Sequence, residues 1–136
     1  MKNTKLHFYF VLFTAAIALV SCSKEFDWWS KGPKEFFVAP ISQLQGPEEI
    51  FANQQAIFTV SYTKPQPCYT RTGIHTKIQG FEMSVEVHIV RDHVYACPDM
   101  LVGETAEFSV VFPIAGTYYL HYRGPEGPET MEVVVK

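Results

Sequence analysis

The sequence predicts an all-β protein: an antiparallel sandwich of seven strands behind an apolar leader and a short tether. Three observations carry this. After residue 34, apolar side chains recur at every second position. β-Branched and aromatic residues fill those alternating runs, while clusters of Gly, Pro and Asp interrupt them. No stretch beyond the leader repeats its apolar residues with a helical period of about 3.6.

The first strand is expected at 36–41. Pro40 within it marks an edge or a change of sheet, because proline has no N–H to give to a ladder. The second strand, 54–64, sets Ala56, Phe58, Val60 and Tyr62 on one face. The third covers 69–79. The fourth, 82–91, alternates most cleanly: Met83, Val85, Val87 and Ile89 point in, and Glu82, Ser84, Glu86 and His88 point out. The fifth, 104–112, buries Ala106, Phe108, Val110 and Phe112. The sixth, 117–123, turns Tyr118, Leu120 and Tyr122 inward, and the last, 129–135, does the same with Met131, Val133 and Val135. Turn chemistry lies between them at Gly46-Pro47, Pro65-Gln66-Pro67, Gly80, Pro98-Asp99, Ala115-Gly116 and Gly124-Pro125-Glu126-Gly127-Pro128.

The third and fourth strands form a hairpin if Gly80-Phe81 is a two-residue turn, since Gly suits the first position of type II′. His75 then faces Glu86, Thr76 faces Val85 and Ile78 faces Met83, which matches inward with inward and outward with outward. Cys68 falls near His93, four residues short of Cys97. A disulfide between Cys68 and Cys97 is therefore expected to staple the open end of this hairpin rather than to cross the two sheets. An even cysteine pair in an exported chain reads as a disulfide. Closing a loop of about 30 residues stabilises by roughly 3.5–4 kcal/mol on chain-entropy grounds. The alternative, two thiols on a metal, lacks any Cys-x-x-Cys or nearby paired His.

The N-terminus supplies the case for export. Met1-Lys2-Asn3-Thr4-Lys5 is basic and free of acid, and residues 6–20 are almost wholly apolar. This is the build of a secretory signal, too short to span a bilayer as a helix. It ends in Leu19-Val20-Ser21-Cys22, which resembles the bacterial lipobox. The resemblance implies a signal peptide over 1–21, cleavage before Cys22, a thioether-linked diacylglycerol on Cys22 and an acylated new N-terminus. Several acyl chains anchor stably where one does not. Ser23-Lys24-Glu25, with Asp27 behind, is similar to the charged stretch after the lipid cysteine in surface-exported lipoproteins of Bacteroidota-type bacteria. That implies an address at the outer membrane, on its periplasmic face or at the cell surface. Residues 22–33 then form a lipidated tether with a reach of roughly 18 Å. Its Trp28 and Trp29 are candidates for contact with headgroups or a partner; the alternative is that they fold back beside Phe36 and Phe37.

Without residues 1–21, which hold Lys2 and Lys5 and no acid, the formal net charge of −3 becomes −5. A mildly acidic domain gives no electrostatic reason to seek nucleic acid, and without a polybasic stretch the acyl chains must provide the anchoring. Residues 34–136 make one domain.

Seven strands in about 100 residues at these spacings argue for a sandwich of immunoglobulin type. Phe112-Pro113-Ile114-Ala115-Gly116-Thr117-Tyr118-Tyr119-Leu120 resembles the turn into the penultimate strand of bacterial immunoglobulin-like domains. The spacing in Pro113-Ile114-Ala115-Gly116 is one residue longer than the commonest form. The core cysteine pair and strand tryptophan of antibody domains are missing.

Chemical motifs are sparse. Outward-facing His75, Lys77, Glu86 and His88, with Tyr119, His121 and Arg123 beside them, could in principle hold Zn²⁺ or Cu²⁺, but lack tight ligand spacing. Arg91-Asp92-His93 beside Cys97 is too common a juxtaposition to indicate catalysis. No Gly-x-Ser-x-Gly, His-Glu-x-x-His or phosphate-binding loop occurs. The expectation is no enzyme, no cofactor and no metal. Aromatic content of 15% exceeds what so small a core needs. Trp28, Trp29, Phe81 and Tyr119 are therefore the candidate partner-binding residues. The expected role is that of a membrane-anchored, non-catalytic binding or assembly module whose partner is an envelope protein or a glycan. The alternatives are a carbohydrate-binding accessory, an inhibitor of secreted enzymes or, more remotely, a small metal-dependent enzyme.

Overall fold

The computed structural model describes residues 33–92 and 96–136. Pro33–Lys136 form a compact unit. Its described residues form eight strands: β1 (Lys34–Ala39), β2 (Ile41–Gln45), β3 (Gln55–Lys64), β4 (Thr70–Gln79), β5 (Glu82–Asp92), β6 (Val102–Val111), β7 (Gly116–Arg123) and β8 (Pro128–Val135). They make a five-stranded sheet of β1, β4, β5, β7 and β8 and a three-stranded sheet in the order β2-β3-β6, arranged as a sandwich.

The expected first strand is two strands. Pro40 divides it, and the two halves enter different sheets: Ala39 pairs with Val87 of β5, whereas Ile41 pairs with Tyr62 of β3. The proline offers no N–H, so the chain leaves one ladder there and joins another. Its carbonyl is still used, accepting from the Thr63 N–H at 3.1 Å. The seven-strand count is corrected to eight for this reason.

The wholly antiparallel expectation is corrected as well. β4 runs along one edge of β5 from Thr70↔Val90 to Gln79↔Glu82. β1 and β7 must therefore share the opposite edge. β7 lies parallel to the first part of β5, from Glu82↔Tyr119 to Val85↔Tyr122. β1 lies antiparallel to the rest, from Ala39↔Val87 to Lys34↔Asp92. The parallel pair has a simple cause: β5 and β7 both leave tight turns at the same end of the molecule, so both run away from it.

The β4–β5 hairpin has the expected register, with His75↔Glu86, Thr76↔Val85 and Ile78↔Met83. Gly80 takes a φ of +64°, which the first position of a type II′ turn requires. A bulge between Arg71 and Gly73 shifts the remaining pairs by one residue. The Cys68–Cys97 disulfide closes the open end, with Cα atoms 5.9 Å apart. It sits within one hairpin and leaves the two sheets unlinked.

Between the sheets lies an apolar core. Met83, Val85, Val87 and Ile89 of β5 and Tyr118 and Leu120 of β7 are buried, opposite Phe58, Val60 and Tyr62 of β3. Phe112 joins the two layers, with its ring 4.7 Å from Tyr118 and 6.2 Å from Phe58 between centroids. Each such side chain stabilises by about 1.5–3 kcal/mol on burial, so the alternating pattern is what holds the sandwich together.

Candidate functional site

The strand directions give the domain two unlike ends. Lys34, the loop 65–69, the disulfide and the start of β6 gather at one, here called the cystine end. The other, the turn end, collects Gly80-Phe81, the turn 112–115, the end of β8 and the loop 46–54. Backbone bonds fasten that loop down: the N–H of Ala52 donates to the Lys136 carbonyl at 2.9 Å, Asn53 to Phe112 at 2.8 Å, and Lys136 to Ile50 at 2.8 Å.

Phe81 and Tyr119, two of the predicted contact residues, meet at the turn end. The Tyr119 N–H donates to the Phe81 carbonyl at 2.9 Å. The Phe81 ring lies edge-on to Tyr118, 5.1 Å between centroids. It also closes over Gly116, where a Cβ would stand 2.6 Å from the ring. One side of Phe81 is thus packed and the other open, leaving 46% of the residue accessible. The Tyr118 hydroxyl donates back to the Ile114 carbonyl at 2.9 Å, which pins the β6–β7 turn and projects the Ile114 side chain into solvent.

Other exposed apolar groups lie on the same half of the domain. Of the ten large apolar residues exposed among those described, Phe51, Ile57, Phe81, Val111, Ile114, Tyr119 and Val134 belong to it. Phe36, Met100 and Leu101 lie toward the cystine end. Ile57 and Val111 lie on the outer face of the three-stranded sheet, Tyr119 and Val134 on that of the five-stranded sheet, and Phe51, Phe81 and Ile114 in the turns and loop of this end. A groove of about 250 Å³ runs among Pro47, Ile50, Phe51, Gln54 and Ile57. Charge is divided too. Four of the domain's seven cations, Lys34, Lys64, Arg71 and Arg91, sit at the cystine end, whereas eight of its twelve acids lie in the middle and turn-end portions.

The outer face of the five-stranded sheet carries the histidines singled out from the sequence. His75 and His88 stand side by side, 4.2 Å between ring centroids, and His88 Nε2 meets a Glu86 carboxylate oxygen at 2.8 Å. His121 lies between Glu82 and Thr130. Among the described residues, no group of three or more His, Cys, Asp or Glu is placed to hold a metal ion.

The cystine end holds the feature that sequence reasoning missed. Lys64 is buried, and its Nζ donates to Glu104, which also accepts from the Tyr62 hydroxyl at 2.6 Å. The hydrogen bond from Lys64 holds the Glu104 carboxyl below its usual range, with help from Tyr62. Burial, with the Glu104 hydrogen bond behind it, pushes the Tyr62 phenol up to about 12. Tyr69 is buried too, and its phenol is raised by burial first and by Glu35 second. Arg91 donates to Gln66 and so ties β5 to the loop 65–69. A signal for the trio exists in the sequence: Lys64 continues the inward phase of Phe58, Val60 and Tyr62, and Glu104 that of Ala106 and Phe108.

Cys22, Trp28 and Trp29 lie outside the described residues, as do His93 and Tyr95. Of the predicted positions, the fold brings Phe81 to Tyr119 and Cys68 to Cys97. The two pairs stand at opposite ends of β5, separated by roughly 30 Å at the strand rise of about 3.3 Å per residue. No family model, no curated protein and no solved structure matches this chain.

Proposed function

We propose that this chain is an exported lipoprotein, lipidated at Cys22 and held at the outer membrane of a bacterial envelope, whose domain acts as a binding or assembly module rather than as an enzyme. The domain is immunoglobulin-like in the broad sense. Its β2-β3-β6 sheet has the A-B-E order, and the Tyr118–Ile114 bond is the counterpart of a tyrosine corner at the turn into the penultimate strand. The parallel β5–β7 pair departs from that pattern.

One observation carries the reading. The chain enters the domain at the cystine end, while most exposed apolar surface lies at the other. β1 begins at the cystine end, and the exposed anchors proposed for a partner lie toward the other. Aromatic and aliphatic anchors within an acidic surround suit a protein surface, where a few such residues supply most of the binding energy. The test is co-purification from detergent-solubilised envelopes with Ile114→Asp and Val134→Asp. Both side chains are exposed, so the fold is expected to survive. Loss of a stoichiometric partner supports the module; a partner retained undiminished by the double variant contradicts it.

A further inference from the structure

We propose that the outer edge of β6, over residues 105–111, accepts an extended strand from a partner protein, with apolar side chains alternating with Lys or Arg. The inference rests on the binding-module reading and names the contact it would use. Strand edges expose N–H and C=O groups that template pairing, and proteins guard them with prolines, bulges, short strands or charges. The other edges of this sandwich are guarded in that way. β2 is five residues long, bulged between Ile41 and Gln43, and flanked by Pro40 and Pro47. β4 bulges beside Arg71 and carries Lys77. β1 lies between Pro33 and Pro40, and β8 opens on Pro128 and has its far end covered by residues 50–52, which bridge Val135 and bond Lys136 through the backbone.

β6 differs. Among the described strands it pairs with β3 alone, in an unbroken register from Val102↔Lys64 to Val111↔Gln55. Glu104 points inward to Lys64, and an inward charge guards the first residues. From Thr105 to Val111 there is no proline or bulge, and the single charge is Glu107, which deters a like-charged strand but not a cationic one. This stretch is roughly 23 Å long at the usual strand rise.

The side chains flanking the edge state what would fit. On the inner face, Phe108 stacks on Phe58 at 5.5 Å yet stays half-buried, so an apolar residue on an added strand would cover it. On the outer face, Glu107 offers a carboxylate, and Val111 and Ile57 lie beyond it. A cationic side chain opposite Glu107 is favoured, and cross-strand pairs of opposite charge add to pairing. A second copy of this chain fits less well, because in-phase antiparallel pairing about the middle of the stretch sets the two Glu107 carboxylates near each other.

The experiment is hydrogen–deuterium exchange of the full-length lipidated protein in detergent. The probes are synthetic peptides of about eight residues, a length that spans the stretch: one alternating Lys and Val, the other Glu and Val. The proposal predicts exchange at 105–111 slowed by at least about fivefold with the Lys peptide and little with the Glu peptide, as added edge bonds require. Glu107→Lys should reverse the preference. Equal slowing by both peptides, slowing confined to β4 or β8, or none at all would overturn it. Slowing that follows protein concentration without peptide would replace it by self-association. A natural partner lost with Ile114→Asp but indifferent to Glu107→Lys would overturn the edge while leaving the binding module standing.

Discussion

The Tyr119 N–H bonds the Phe81 carbonyl at 2.9 Å, fastening the tip of the β4–β5 hairpin to the opening of β7. Two turns distant in sequence thereby become one surface. The bond opens the parallel pairing, and the Phe81 ring over Gly116 seals the same junction.

Gly116→Ala should be costly. A methyl there meets the Phe81 ring, and the backbone φ of +151° disfavours any side chain. We expect a loss of about 1–3 kcal/mol in urea unfolding, the scale of a strained backbone position. Adding Phe81→Ala removes the clash but not the backbone strain. The double variant should therefore lose less than the sum of the single ones, by at least about 0.5 kcal/mol. Additive losses would show that the ring does not rest on Gly116.

The disulfide closes a hairpin whose register is already set by nine cross-strand pairs between β4 and β5. Reduction, or Cys68→Ser with Cys97→Ser, should lower stability by roughly 3.5–4 kcal/mol. The intact mass should rise by two hydrogens on reduction alone. The secondary structure should survive, because the core alternation does not depend on the bridge; circular dichroism with and without reductant checks this.

Lys64 and Glu104 should respond unequally to substitution. The Lys64 side chain is 7% accessible and that of Glu104 39%. Glu104→Gln leaves a buried ammonium without its counter-charge and should cost on the order of 3 kcal/mol. Lys64→Met removes the buried charge and leaves a carboxylate that can reach water, so it should cost less. The pH dependence follows in sign. Glu104 has a folded pKa below its ordinary value of 4.5. Its contribution is present in full above about pH 4.5 and fades as pH falls through that value toward the folded pKa. Unfolding curves of Glu104→Gln should accordingly show a shallower loss of stability in acid than those of the native chain.

Much of the sandwich was legible because its warrant is local. The β4–β5 register follows from one glycine turn and a matching alternation, and Pro40 announced a break through its missing N–H. The neighbour of β7 was not legible. β5 and β7 alternate as any half-buried strand does, and nothing in either says which strand lies beside which, or in what direction. The exposed half was hidden for the same reason. Phe51, Phe81, Ile114 and Val134 are far apart in the chain, and only the topology gathers them, although Ile57, Val111 and Val134 break the polar phase of their strands. Lys64 was missed because a charged strand end is ordinarily solvated.

Lipidation makes its own prediction. Cys22→Ala should move the protein from the membrane fraction to the soluble fraction, since several acyl chains anchor stably and the tether without them does not. Metabolic labelling with an alkynyl fatty acid should be lost in parallel. Continued sedimentation with membranes would contradict anchoring through Cys22.

The two-ended domain is tested most directly by photo-cross-linking in intact cells. A photoreactive amino acid is placed at Ile114 of the turn end in one strain and at Leu101 of the cystine end in another, both exposed. A discrete protein adduct is expected from position 114 and none of comparable yield from position 101. Adducts from 101 alone would contradict it, because they would place the partner at the end where the tether arrives.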